Sequence, residues 1–333
     1  MPGSVPGAYI LGCAGEALST SEIAFFRDAD PWGFILFDRN VRDRAQLAAL
    51  TSQLRDTVGR QAPILIDQEG GRVQRMWAPE WTDHLPALHL CERASDPVRA
   101  IYLRSRLIAQ ELHEVGIDTN CAPLGDIAND ATHPRLKNRC YGRTPQDVVA
   151  RARSVMAGQE DGGVLSVLKH IPGHGSSTKD SHVDLPVVTK PREELAEHDF
   201  APFEALREAP MGMTAHVVFN AYDDSRPATT SPAMHRVIRD EIGFDGLLMT
   251  DDLSMDALHG DVHQRCEDAL AAGCDLILHC NGEMAEMEIV AHFGPMSQAA
   301  ESRAARALAK RRPPVDIDIA ALRADLAAMT ETA

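Results

Sequence analysis

Val164-Leu-Ser-Val-Leu-Lys-His-Ile-Pro-Gly-His-Gly-Ser-Ser-Thr-Lys-Asp-Ser-His182 begins as an apolar run and ends as a polar loop. Residues 164–168 are short and apolar and follow Gly162-Gly163, which predicts a buried strand. The next fourteen residues hold three histidines, two lysines, one aspartate, two glycines and a proline. A strand that runs out into polar, Gly-rich backbone is where α/β proteins place their chemistry. Taken alone, the loop is open to several readings. It could be a solvated connection with incidental histidines. A phosphate loop is excluded, because the Gly-Lys-Ser/Thr ending is absent. A metal site would draw on His170, His174, Asp180 and His182.

The same unit of short apolar run and polar end repeats along the chain. Strands are predicted at Tyr9–Cys13, Gly33–Phe37, Pro63–Asp67, Asp118–Ala122, Val164–Lys169, Met211–Val218, Gly246–Thr250 and Asp275–Cys280. Helix-period segments separate them: Arg42–Val58, with Leu47, Leu50 and Leu54 on one face, then Asp96–Val115, Pro145–Gln159, Arg192–Glu208, Ser231–Ile242 and His263–Ala272. Thr144-Pro145 and Ser231-Pro232 carry N-cap and first-turn signals, and Gly162, Gly243 and Gly273 are stops. Eight strand–helix repeats predict an α/β fold with a parallel sheet closed into a (β/α)8, TIM-like barrel. A doubly wound sheet is the alternative, but no Gly-x-Gly-x-x-Gly turn follows the first strands. With no linker and no break in composition, residues 1–333 read as a single domain, with a helical tail from about 313 to 333 outside the barrel.

Composition narrows the class. Hydrophobic residues make up 44% of the 333 and charged residues 25%, which excludes a disordered chain. The net charge is −16, from 33 basic and 49 acidic residues, which argues against nucleic acid or an anionic membrane as the partner. The basic cluster Arg303–Arg312 reads as a solvated helix face. Seven cysteines are scattered without a Cys-x-x-Cys pair, so neither a zinc ribbon nor a disulfide framework is expected and a reducing compartment fits. Leu11-Gly12-Cys13-Ala14 resembles a lipoprotein cleavage site, but no Lys or Arg precedes it and Pro2, Gly3, Pro6 and Gly7 break the apolar region. No eighteen-residue apolar run occurs, so no membrane-spanning helix is expected.

Barrel chemistry gathers at the C-terminal ends of the strands. Those ends carry Asp67-Gln-Glu-Gly-Gly-Arg-Val-Gln-Arg75, Pro123-Leu-Gly-Asp126, Lys169-His170, His216 and Asp251-Asp252. Together they ring one mouth with carboxylates, histidines, arginines and a lysine. Consecutive strand residues point to opposite faces, so Asp251 and Asp252 are not expected to share one task. One should face the mouth while its neighbour binds backbone, and Asp252 also reads as a strand-to-helix cap. A lone buried carboxylate with cations nearby has the properties of a covalent nucleophile.

These motifs resemble the bacterial family 3 glycoside hydrolases, specifically the cytoplasmic β-N-acetylhexosaminidases of cell-wall recycling. The resemblance rests on Asp67–Arg75, Asn138-Arg139, Lys169-His-x-Pro-Gly-His-Gly175, Asp180-Ser-His182 and Asp251-Asp-Leu-Ser-Met255, with Ala215-His216 and Phe244-Asp-Gly246 in support. Cys140 stands where these enzymes more often have Ser. The resemblance implies a retaining, two-step reaction in which Asp251 is the nucleophile. It implies that Asp180 and His182 form an acid/base dyad on a mobile loop. It also implies that Asp67, Arg75, Arg139, Lys169 and His170 hold a terminal N-acetylglucosamine. The implied substrates are muropeptide fragments, with no cofactor, no metal and no obligate protein partner, in the cytoplasm. Imidazole titrates near neutrality, so a His with a carboxylate beside it suits the proton work.

Two other classes compete. A metal-dependent hydrolase barrel would use His170, His174, His182 and Asp251, but no His-x-His or His-Glu-x-x-His pair occurs and Lys169 would repel a cation. A sugar-binding protein that has lost catalysis would not need both the nucleophile and the dyad. Within the family, a β-glucosidase or β-xylosidase is the nearer alternative, and the Lys-His-x-Pro-Gly-His-Gly and Asp-Ser-His motifs favour the hexosaminidase branch.

Overall fold

The computed structural model describes residues 5–177, 185–255 and 258–330. Eight parallel strands close into a barrel: β1 (Gly7–Gly12), β2 (Pro31–Leu36), β3 (Ile64–Ile66), β4 (Thr119–Asn120), β5 (Leu165–Ile171), β6 (Met211–Thr214), β7 (Leu247–Asp252) and β8 (Leu276–His279). Each pairs with its sequence neighbour, and Tyr9↔Ile277 joins the first strand to the last. All eight predicted strands are present, shifted or trimmed at their ends. The largest trim is at Met211–Val218, which leaves the barrel after Thr214. Val218–Phe219 instead pairs with Val187–Val188 in a separate two-stranded sheet.

Alternation along the strands divides the core. Ala8, Ile10, Leu65, Val167, Met213, Met249 and Leu278 form one cluster from all round the ring, which fills the barrel. Their neighbours Tyr9, Leu11, Phe34, Ile64, Ile66 and Ile277 pack outward with Leu47, Leu50 and Leu54 of the helix Arg44–Val58. Helix Gln298–Leu308 adds Ala300, Ala304 and Ala307 to the interior cluster and so covers the end of the barrel opposite the strand C-termini. A helix at Ile319–Thr330 lies against Leu103 and Leu107 of the helix Pro97–Glu114 through Leu322.

Caps at Thr144 and Ser231 hold as read, each side chain accepting from the backbone three residues on. Two predicted helices are less regular than expected. Arg192–Glu208 is a turn at Arg192–Glu194, a π-helical segment at Leu195–Asp199 and a short helix at Ala201–Ala205. Ser231–Ile242 likewise passes into a π-helical turn at Val237–Glu241. The basic cluster is not simply a solvated face. Arg303 binds Asp245 and Asp275, Arg311 binds Asp118, and Arg312 binds Asp161, which ties this segment to the strand N-termini. Cys13 is buried directly after β1, and all seven cysteines are buried and free. No helix among the described residues is long and apolar enough to cross a membrane.

Candidate active site

A cavity of about 220 Å³ opens at the C-terminal ends of the strands. Asp67, Arg75, Arg139, Lys169, His170 and Asp251 all line it, together with Arg72, His133, Arg135, His174 and Asp252. Asp180 and His182 lie outside the described residues.

The floor is a buried ionic cluster. Lys169 Nζ lies 2.7 Å from both Asp67 Oδ1 and Glu69 Oε1. Arg139 meets Glu69 with both ends of its fork, Nε at 2.9 Å and Nη2 at 2.8 Å, and Arg75 Nη2 reaches Asp67 at 3.3 Å. Burial disfavours ionisation throughout, but opposite charges at this range overcome it. Against burial, Lys169 and Arg75 hold Asp67 well below the usual carboxylate range. Arg139 and Lys169 similarly hold Glu69 at about 2. Lys169 and Arg139 are pushed above their ordinary values by the same carboxylates. Glu69 belongs to the Asp67–Arg75 motif but was not among the residues expected to hold the sugar. Its signal is its place beside Asp67 at a strand end.

His170 is fixed from below. Residues 123–125 continue beside β5, with Lys169 N–H donating to Pro123 O at 3.0 Å and Gly125 N–H donating to Lys169 O at 2.7 Å. That course brings Asp126, fully buried, to 2.7 Å from His170 Nδ1. The carboxylate accepts, so Nδ1 carries a proton, and Nε2 lies 3.5 Å from Arg139 Nη2. The second Asp126 oxygen accepts from His174 N–H at 2.6 Å. Burial, and then His170, lower the His174 imidazole to about 4. The Lys169–His170 peptide is cis, and both side chains line the cavity.

The two aspartates of β7 separate as their alternation requires. Asp252 accepts from Ser254 N–H at 3.0 Å, Ser254 Oγ at 2.7 Å and Cys280 N–H at 3.1 Å, so it binds backbone and caps the strand end. Asp251 accepts from Asp252 N–H at 2.8 Å, and among the described residues no cation sits within ion-pair distance of it. Burial works against its ionisation, but His216, His170, that N–H and Lys169 together hold its pKa below the usual carboxylate value. The result is an ionised carboxylate in a cavity wall, beside cations already committed to other partners. Such a group is suited to covalent attack on an electrophilic carbon. Among the described residues no group of three or more His, Cys, Asp or Glu side chains is arranged to hold a metal ion.

Known proteins resemble this chain in sequence and in fold. Residues 25–309 match the glycosyl hydrolase family 3 N terminal domain. A β-hexosaminidase of Methylococcus capsulatus is 37% identical over 304 residues, covering 90% of this chain and 88% of its own. One from Alkalilimnicola ehrlichii is 36% identical over 322 residues, covering 93% and 90%. The crystal structure of NagZ from Neisseria gonorrhoeae in complex with N-trifluoroacetyl-D-glucosamine superposes with a TM-score of 0.87 at 30% identity, covering 99% of this chain and all of that one. A family 3 β-N-acetylglucosaminidase from Paenibacillus sp. gives 0.81 at 29% identity, and this chain spans 62% of that longer protein.

Proposed function

The chain belongs to glycosyl hydrolase family 3, as a glycoside hydrolase of the β-hexosaminidase type, and from that premise we propose a retaining β-N-acetylglucosaminidase with Asp251 as its nucleophile. The observation that carries the proposal is the state of Asp251: ionised, lining the cavity, and without an ion-pair partner among the described residues. Every other carboxylate described at the site is engaged. Asp67 and Glu69 hold cations, Asp126 holds His170, and Asp252 holds backbone.

In the first step Asp251 attacks the anomeric carbon as the glycosidic bond breaks, and the leaving oxygen takes a proton from His182. In the second, His182 removes a proton from water, which displaces Asp251 and restores the enzyme with net retention. Asp180 orients that imidazole and stabilises its cation. Asp67, Arg75, Arg139, Lys169 and His170 bind the terminal N-acetylglucosamine, their ion pairs fixing each donor and acceptor before the sugar arrives. The natural substrate of this reading is N-acetylglucosamine β-linked to 1,6-anhydro-N-acetylmuramic acid, with or without its peptide, and the working compartment is the cytoplasm. The similarity to a structure holding N-trifluoroacetyl-D-glucosamine supports the sugar assignment.

Trapping with a fluorinated N-acetylglucosaminide followed by peptide mapping tests the reaction class and the nucleophile together. Label on Asp251 is expected. Label on Asp252, or full turnover by Asp251→Ala, overturns the assignment.

A further inference from the structure

Asp251 is oriented by a neighbour that is itself held from three sides. The N–H of Asp252 donates to Asp251 Oδ1 at 2.8 Å, and the Asp252 carboxylate is bound by Ser254 and the Cys280 N–H. Its carbonyl oxygen, the third attachment, lies 3.0 Å from Nε2 of His216. His216 is completely buried behind β7, with Nδ1 2.7 Å from Thr229 Oγ1. Thr229 Oγ1 is in turn 2.9 Å from Thr214 Oγ1.

The proton positions in this chain follow from its ends. A carbonyl oxygen only accepts, so Nε2 of His216 carries the hydrogen. With Nε2 protonated, a neutral imidazole must accept at Nδ1, so the Thr229 hydroxyl donates there, at 2.7 Å, in preference to the Ala215 carbonyl oxygen at 3.1 Å. Thr229 has then spent its one hydrogen, and Thr214 donates to it. Burial lowers the imidazole below its usual value, which keeps the ring neutral and this order intact.

We infer that His216 is a positioning residue for the nucleophile: through Nε2–H it fixes the Asp252 peptide whose own N–H aims Asp251, with Thr229 and Thr214 setting its tautomer. The inference rests on the proposed role of Asp251. A carboxylate attacking carbon must present one oxygen along the line of attack, and a misplacement of about 1 Å costs on the order of 10²-fold in rate. The residues proposed to hold the sugar are different ones, Asp67, Arg75, Arg139, Lys169 and His170. The loss on disturbing His216 should therefore fall on the rate of forming the glycosyl-enzyme and spare ground-state binding.

The test compares His216→Gln, His216→Asn and His216→Ala by their rates of trapping with the fluorinated glycoside and their inhibition by free N-acetylglucosamine. A Gln amide nitrogen overlays Nε2 of histidine, whereas an Asn amide overlays Nδ1. Gln should stay within about fivefold of wild type, while Asn and Ala fall by about 10²-fold, all with inhibition constants within about threefold. Equal rates for Gln and Asn would refute the inference, as would inhibitor binding that weakens in step with the rate. If Asn and Ala are too unstable to assay, Thr229→Val decides. It removes the donor to Nδ1 and should slow trapping by about tenfold, and unchanged trapping counts against the inference. Peptide mapping of the wild type keeps the two ideas apart. Label away from Asp251 refutes the proposed nucleophile, whereas label on Asp251 with no Gln–Asn difference refutes only the role of His216.

Discussion

Lys169 is only 2% exposed, and its ammonium lies between two carboxylates at 2.7 Å each. Deleting one partner from such a cluster is worse than never having built it, because the charges left behind stay buried. The cost is typically about 3–5 kcal/mol. Lys169→Met should therefore lose stability on that order at neutral pH and should lower kcat/KM by about tenfold or more as Asp67 and Glu69 lose their fixed positions. The sign of the pH dependence follows from Glu69. Burial opposes its ionisation, yet Arg139 and Lys169 hold it at about 2 against an ordinary 4.5. A depressed carboxylate contributes stability that is fully present above the ordinary value and is lost as pH falls through the folded one. The stability gap between wild type and Lys169→Met, measured by urea unfolding, should be widest near pH 7 and narrow from pH 4.5 toward 2. A gap that does not change with pH would mean that lost packing of the lysine stem, and not its charge, carries the effect.

The loop Asp67–Arg75 shows how a short element reaches a buried site. β3 ends at Ile66, and its course is continued by a side chain: Asn120 accepts from Gln68 N–H and donates to Gln68 O, both at 3.0 Å. Gln68 then does the same for the returning strand of the loop. Its Oε1 accepts from Arg75 N–H at 2.8 Å and Met76 N–H at 3.2 Å, and its Nε2 donates to Met76 O at 3.0 Å. Gly70 and Gly71 make the reversal at φ +93° and +62°, and a Cβ on Gly71 would sit 2.8 Å from Pro86. The Asp-Gln-Glu-Gly-Gly-Arg motif was visible in the sequence, but the use of Gln68 as a surrogate strand was not. A glutamine between two acidic residues carries no periodic signal. Gln68→Ala leaves the N–H groups of Arg75 and Met76 without their acceptor, while Met76 O keeps its bond from Gln74 Nε2, and should cost about 1–3 kcal/mol. Because the loosened segment carries Arg75, KM should rise more than kcat falls. An unchanged KM would show that Arg75 is held by its ion pair to Asp67 alone.

At the scale of the molecule, the barrel was legible because most strands begin as short apolar runs bounded by Gly, Pro or charged residues, with β4, Thr119–Asn120, the polar exception. Asp67, Arg75, Arg139, Lys169, His170 and Asp251 could be read as one site because they stand at strand ends or in recognisable motifs, and the fold does bring them to one cavity. Glu69 in the cation cluster and Asp126 under His170 acquire their partners only by tertiary approach across 70 and 44 residues of chain, which no local pattern encodes. Arg303–Arg312 was under-read for the same reason, since its carboxylate partners are supplied by distant segments. Those pairs mark the end of the barrel away from the chemistry. Asp275, buried just before β8, accepts from Leu248 N–H at 2.9 Å, Arg239 Nη2 at 2.8 Å and Arg303 Nη1 at 2.9 Å, joining β7, β8 and two helical segments. Removing it leaves two guanidinium groups and a strand N–H without their shared acceptor, a loss on the order of 3–5 kcal/mol. Barrels separate function at the strand C-termini from stability at the N-termini. Asp275→Ala should therefore shift the urea midpoint sharply while the folded fraction keeps the wild-type kcat/KM. Unfolding curves and initial rates on the same preparation measure both. A stable variant with impaired turnover would mean instead that strain at the base of β7 is transmitted along the strand to Asp251.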